Sequence, residues 1–147
     1  MLSGSGVYLL VIAKNTKCKE VYGIEVNPIA HKYALENLKK NKLENKIKLF
    51  LGDVRKIMPK LNKKFDRVLM PLPKGGEIFL DLSLRHIRKN GVIHFYDFLH
   101  EGEFYMAEEK IKKACDKSNK KFKILKIVKC GQYSPGFYRI CADFEVS

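Results

Sequence analysis

Apolar and polar positions follow two different periods along this chain, and the period switches repeatedly. Short apolar runs bounded by Gly, Asn or Pro read as strands, and stretches with apolar positions three and four apart read as helices. Glu20–Glu25 (EVYGIE), Ile47–Leu51, Phe65–Met70 (FDRVLM) and Val92–Tyr96 are of the first kind. Ile29–Asn41 is of the second, with Asn27 as its N-cap and Pro28 in its first turn. Asp53 caps a short helix through Leu61. Ile78–Ile87 and the longer Glu101–Ser118 also read as helices. Val7–Ala13 is apolar throughout, and periodicity leaves helix and strand both open there. Pro71–Gly76 and Gly131–Gly136 read as loops and Asn90-Gly91 as a turn. Lys121–Val128 (KFKILKIV) alternates strictly, and Phe137–Val146 is a final strand.

Strands alternating with helices predict an α/β fold whose sheet is mostly parallel and covered on both faces, a Rossmann-like arrangement. The last two strands follow one another with no helix between them, so they are expected to pair antiparallel at one edge. At 147 residues the simplest organisation is one domain, residues 1–147.

Composition fits this picture. Hydrophobic residues make up 46% and charged residues 31%, which is globular rather than disordered. The formal net charge of +13 points to a polyanionic partner, with nucleic acid first. Lys supplies 24 of the 29 basic residues, and Lys enrichment also marks surfaces adapted to heat. The densest basic stretch is Lys110–Lys129, with nine lysines in twenty positions. Cys18, Cys115, Cys130 and Cys141 include no CxxC pair, so no zinc site is expected and they read as small core residues. No apolar run approaches the ~18 residues of a membrane span, and the apolar opening Met1–Ile12 lacks the basic start of a secretory signal. The expected setting is the cytoplasm.

Ligands of open parallel sheets bind beyond the carboxyl ends of the strands, so residues just after each strand carry the candidate chemistry. Ser3-Gly4-Ser5-Gly6 is a glycine turn through which a backbone can approach a ligand closely. Nineteen residues beyond Gly6, Glu25 ends a strand. That spacing matches a nucleotide-binding unit in which the acidic residue accepts hydrogen bonds from ribose hydroxyls. Asp53, in Gly52-Asp53-Val54, can accept from an adenine amino group, can cap its helix, or can do both. Met70-Pro71-Leu72-Pro73 makes a stiff loop after the third strand, with missing N–H groups and free carbonyls. Asp97, Glu101, His94 and His100 are titratable groups near the carboxyl end of the fourth strand, and His94, inside it, reads as a hydrogen-bonded structural residue rather than a base.

These residues together resemble a known family. Val21–Pro28 (VYGIEVNP), Gly52-Asp53-Val54 and Asp66–Pro73 (DRVLMPLP) are similar to the class I, S-adenosylmethionine (SAM) dependent tRNA (guanine-N1)-methyltransferases of archaea and eukaryotes, which modify the guanine 3′ of the anticodon. His94–Phe98 (HFYDF) and Tyr133–Gly136 (YSPG) resemble the family's late segments. The resemblance implies SAM as cofactor and tRNA as substrate, with no metal and no membrane. It places Gly4 and Gly6 beside the amino-acid moiety of SAM, Glu25 at the ribose and Asp53 near the adenine, with Val26 and Val54 as further cofactor-binding residues. Pro71, Leu72 and Pro73 would form the catalytic loop beside the target base. The family is also similar to the aminocarboxypropyl transferases of wybutosine synthesis, which move a different group from the same sulfonium. A third possibility is an RNA-binding module that has lost catalysis.

Two departures stand out. The family's loop usually opens with Asn, and here that position is Pro71, which offers no donor. The family also places a strand with an acidic end before the glycine turn, and RNA-binding domains before that, with an Arg and a carboxylate thought to act on the guanine. The chain is therefore expected to be a C-terminal catalytic half whose sheet lacks its first strand, binding SAM weakly or not at all and not methylating tRNA alone, and needing an upstream domain or a second chain to complete it and to act.

Overall fold

The computed structural model describes residues 1–147, and the chain divides into two compact units, Met1–Asn62 and Lys63–Ser147. In the first unit, strand β1 (Val21–Glu25) pairs in parallel with β2 (Ile47–Leu51). Helix α1 (Val7–Asn15) settles the ambiguity of the apolar opening. Leu9 and Ala13, one helical turn apart, are buried with Val21, Leu38 and Ile47 in a small core. Helix α2 (Pro28–Lys40) begins where its cap signals place it: the Asn27 side chain accepts from the N–H groups of Ile29 and Ala30, and Pro28 occupies the first turn. Helix α3 (Val54–Lys60) is capped by Asp53, whose Oδ1 accepts from the Arg55 N–H at 2.8 Å.

The second unit is a four-stranded sheet in the order β3 (Phe65–Met70), β4 (Ile87–His100), β6 (Phe137–Val146), β5 (Phe122–Ser134). β3 and β4 are parallel, while β6 lies between β4 and β5 and is antiparallel to both. Only β6 therefore runs against its neighbours. The antiparallel pair is formed as expected, and its later strand is the inner one. Between β3 and β4 come a short 3-10 turn (Gly76–Phe79) and helix α4 (Leu80–His86). Helix α5 (Tyr105–Lys117) connects β4 to β5. Its buried residues Ala107, Ile111 and Cys115 recur every four positions, which is the stripe of a helix lying on a core. Burial alternates along β4 from Gly91 to Leu99, with Ile93, Phe95, Asp97 and Leu99 on the buried face.

Two expectations are revised here. β4 is much longer than Val92–Tyr96, because Asn90-Gly91 does not end a turn outside the sheet. Phe65 pairs with Ile87 and Arg67 with Val92, so Arg88–Gly91 bulge out of a ladder that continues on both sides, with Asn90 at φ 60. β5 likewise runs on to Ser134, because β6 supplies partners as far as Phe137 and leaves only Pro135-Gly136 as the hairpin turn.

Candidate functional site

In the first unit, the glycine turn closes on the end of β1. Gly4 and Gly6 adopt φ of 55 and 85, a left-handed conformation that glycine reaches without a Cβ clash. The Ser3 N–H donates to Ile24 O at 2.9 Å and the Gly6 N–H to Ser3 O at 3.0 Å, so the turn is tied to the strand. Its tightest link is the Glu25 carboxylate. Oε2 accepts from the Gly4 N–H at 2.7 Å and Oε1 from the Asn27 N–H at 2.9 Å. A carboxylate offers about four lone-pair sites, so two acceptor positions remain after these bonds. Glu25 thus cross-links the turn to the start of α2 and can still accept two hydroxyl groups.

The surroundings suit an adenosine-bearing ligand. A Cβ at Gly4 would meet nothing within 4 Å, which leaves the backbone face open to close approach. The Ser3 hydroxyl is buried without a hydrogen-bond partner, an unfavourable state that a ligand's polar group would relieve. Beyond the strand ends, Val26 is 60% exposed and Leu51 49%, an apolar surface of the kind on which a planar base rests. Asp53 caps α3, and its carboxylate also holds the Arg55 guanidinium, at 2.5 Å from Nη2. The Arg55 side chain, and then the Arg55 N–H, hold the Asp53 carboxyl down at about 2. Val54 is buried, so what it can offer a ligand is backbone.

In the second unit, Pro71, Leu72 and Pro73 follow β3 at its carboxyl end. Gly75, at φ 74, leads into the 3-10 turn. β4 is parallel to β3, so Asp97–His100 emerge on the same edge. A cleft of about 360 Å³ opens there, lined by Pro73, Lys74, Gly75 and Glu77 with Asp97, Phe98, Lys110, Tyr133 and Phe137. Asp97, Glu101 and His100 at this edge are already engaged. Buried Asp97 holds Lys110 Nζ at 2.6 Å, Glu101 pairs with Lys129, and His100 packs its ring on Phe137.

His94 lies farther back along β4. Its Nδ1 is 2.6 Å from Asp143 Oδ1 and its Nε2 is 3.1 Å from the Arg67 guanidinium. The Cys141 thiol donates to the same Asp143 oxygen at 3.3 Å, and Lys126 lies 3.6 Å from the other. His94, Cys141 and Asp143 have the donor types of a metal site, with their ligand atoms within 4.8 Å of one another. Two cations flank them, however, Arg67 at His94 and Lys126 at Asp143, and the three side chains already bond one another. The cluster therefore reads as a hydrogen-bonded network across three strands.

The TRM5/TYW2 methyltransferase domain family matches residues 1–125 of this chain. The chain belongs to that family. It is 37% identical over 148 residues to the tRNA (guanine(37)-N(1))-methyltransferase Trm5b of Pyrococcus abyssi, covering 100% of this chain and 43% of the relative. It is 34% identical over 144 residues to the tRNA(Phe) (4-demethylwyosine(37)-C(7)) aminocarboxypropyltransferase of Methanocaldococcus jannaschii, covering 97% of this chain and 57% of the relative. The crystal structure of M. jannaschii TYW2 in complex with AdoMet is 32% identical and matches with a TM-score of 0.91, covering 100% of this chain and 66% of that one. The chain thus spans about half the length of the curated relatives it matches. The fold is the α/β class I methyltransferase fold that the resemblance implied, and no helix is long and apolar enough to cross a membrane.

Sequence reasoning singled out Glu25, the glycine turn and the proline loop as candidates; the structure bonds Glu25 to the glycine turn and shows a second anchor, the Asn27 N–H, that the sequence reading did not name. The cleft was also missed. The only signal for the cleft was the aromatic content of His94–Phe98 and Tyr133–Gly136, whose convergence is set by strand pairing.

Proposed function

We propose that this chain is the cofactor-binding and catalytic part of a cytoplasmic SAM-dependent tRNA methyltransferase that methylates N1 of the guanine next to the anticodon. The observation that carries the reading is the Glu25 carboxylate, fixed by the Gly4 and Asn27 N–H groups with acceptor capacity to spare. Gly4, Gly6, Glu25 and Val26 would hold the amino-acid and ribose parts of the cofactor, and Asp53 with Val54 the adenine end. When bound, SAM supplies a methyl group made electrophilic by its sulfonium. Pro71, Leu72 and Pro73 restrict the backbone after β3 and would limit the positions a base can take beside them, so their contribution is orientation. Their free carbonyls are acceptors for a base's N–H groups.

Loss of the guanine N1 proton is assisted by a general base, an effect of roughly 10²–10⁴-fold in comparable reactions. Asp97, Glu101 and His94 are each held in ion pairs or hydrogen bonds, and none is assigned that role. The 34% identity to an aminocarboxypropyltransferase supports a second reading, in which the same cofactor donates its larger chain. The mass of the modified nucleoside distinguishes the two.

The test is a calorimetric titration of SAM into the chain and its Glu25→Ala variant. Saturable binding to the parent that is lost in the variant is expected. Equal binding by both would remove Glu25 from the site and the reading with it. Incubation of tRNA and SAM with a protein that carries this chain within the full length of its relatives, followed by nucleoside mass analysis, then identifies the group transferred.

A further inference from the structure

The cleft at the carboxyl edge of the second unit has no role in the reading above. It joins the proline loop to the β5–β6 hairpin, and its chemistry is specific. Tyr133 is 71% exposed near the hairpin tip. Its ring is propped by Phe98, with centroids 5.0 Å apart at 55°, and by Phe137, 5.9 Å apart at 82°. Phe98 and Phe137 also pack on each other at 5.8 Å. The three rings hold one another in place, and most of the Tyr133 surface still faces water. A large ring supported from behind and bare in front is a stacking platform.

The charged groups of the cleft are balanced. Lys74 and Lys110 face Glu77 and Asp97, in a chain whose net charge is +13. A phosphate would favour a positive pocket, so the locally neutral cleft suits an uncharged planar group, with exposed lysines elsewhere left for phosphates. Lys110 is not a freely moving surface lysine. Buried Asp97 accepts one of its N–H groups at 2.6 Å and holds the ammonium at the cleft wall. Two further donors remain for an acceptor edge, such as guanine O6 and N7. Glu77 offers acceptors for exocyclic amino groups. The volume, about 360 Å³, is at the lower end of ligand pockets, which run from roughly 300 Å³ upward.

We propose that this cleft binds a nucleobase of the RNA substrate that flanks the modified guanine, stacked on Tyr133 and hydrogen-bonded by Lys110. This rests on the tRNA reading above. Pro73 is shared between the loop assigned to the target base and the cleft wall, so the base in the cleft is a near neighbour in the RNA strand. The Asp97–Lys110 pair acts by positioning and takes no part in proton transfer.

The test uses an anticodon stem-loop RNA with 2-aminopurine placed, one site at a time, at the methylated position and at the two positions on either side. Fluorescence is followed as the chain is added, without cofactor, so the signal is independent of methyl transfer. Quenching at one flanking position is expected. Tyr133→Ala should abolish it and weaken RNA binding by about 5-fold or more, the lower range for loss of one stacked base. Tyr133→Phe should preserve both. Because Tyr133 is exposed, these variants are expected to keep the parent's melting temperature and SAM affinity. Quenching confined to the methylated position, or unchanged in Tyr133→Ala, would overturn the inference and leave the methyltransferase reading intact. Absence of RNA binding would overturn the inference, while the SAM titration tests the methyltransferase reading separately.

Discussion

Glu25 shows how much depends on one side chain. Its carboxylate replaces water for two backbone donors that the tight turn and the helix start would otherwise leave unpaired. Glu25→Gln keeps the shape but sets an amide NH2 against the N–H of either Gly4 or Asn27. We expect it to weaken SAM binding about 10-fold or more, since hydrogen bonds to charged groups contribute roughly 1.5–3 kcal/mol each. Calorimetry measures the change directly. Gly23 tests the packing beneath the site. A Cβ there would lie 2.5 Å from Leu9 Cδ1 and 2.7 Å from Leu49 Cδ2, with the Ser3 hydroxyl at 3.1 Å. Gly23→Ala should destabilise the first unit by about 1–3 kcal/mol through overpacking, read as a lower denaturant midpoint.

At the level of elements, the helix caps also shape the candidate site. Asn27 caps α2 with its side chain while its N–H holds Glu25. Asn27→Ala should cost roughly 1 kcal/mol of stability and leave the N–H contact to Glu25 in place, so SAM affinity should fall less than in Glu25→Ala. Asp53 gives a pH prediction with a definite sign. Its folded pKa of about 2 lies below the ordinary 3.8 because the Arg55 side chain and backbone N–H favour the ionised form. As pH falls, the unfolded chain takes up this proton first. The capping contribution is therefore full above about pH 4 and is lost as pH falls through about 2. The carboxyl carbon resonance of Asp53 should titrate with a midpoint near 2, and a midpoint at the ordinary value would show that the Arg55 contacts do not persist in solution.

Across the whole molecule, the charge of +13 makes any RNA affinity depend on salt. On α5, β5 and the turn between them, Lys112, Lys113, Lys117, Lys121, Lys123 and Lys126 are exposed, and of these only Lys126 reaches a carboxylate, Asp143. If this face carries phosphate contacts, Lys→Gln changes there should each lower the slope of log affinity against log salt by about 1 and weaken binding of all sequences alike. Tyr133→Ala should lower affinity with little change in slope. Binding isotherms at several salt concentrations separate these effects. A slope unmoved by lysine changes on α5 and β5 would place the phosphate contacts elsewhere.

The sequence by itself determined the order of elements from Glu20 onward, the helix starts at Pro28 and Val54, the β2 and β3 strands, and the candidate ligands at strand ends. These signals act over a few residues: an N-cap bonds two or three positions ahead, and a strand's alternation is visible within itself. The tertiary structure decided what depends on partners far along the chain. Val7–Asn15 is a helix because Leu9 and Ala13 meet the core residues Val21, Leu38 and Ile47. Asn90-Gly91 became a bulge because β3 continues to pair on both sides of it. β6 lies inside β5, which joins His94 to Asp143 across 49 residues and brings Phe98, Lys110, Tyr133 and Phe137 to one cleft. Strand order and register are settled by the burial of whole faces, and no local pattern encodes which edge a distant strand will choose.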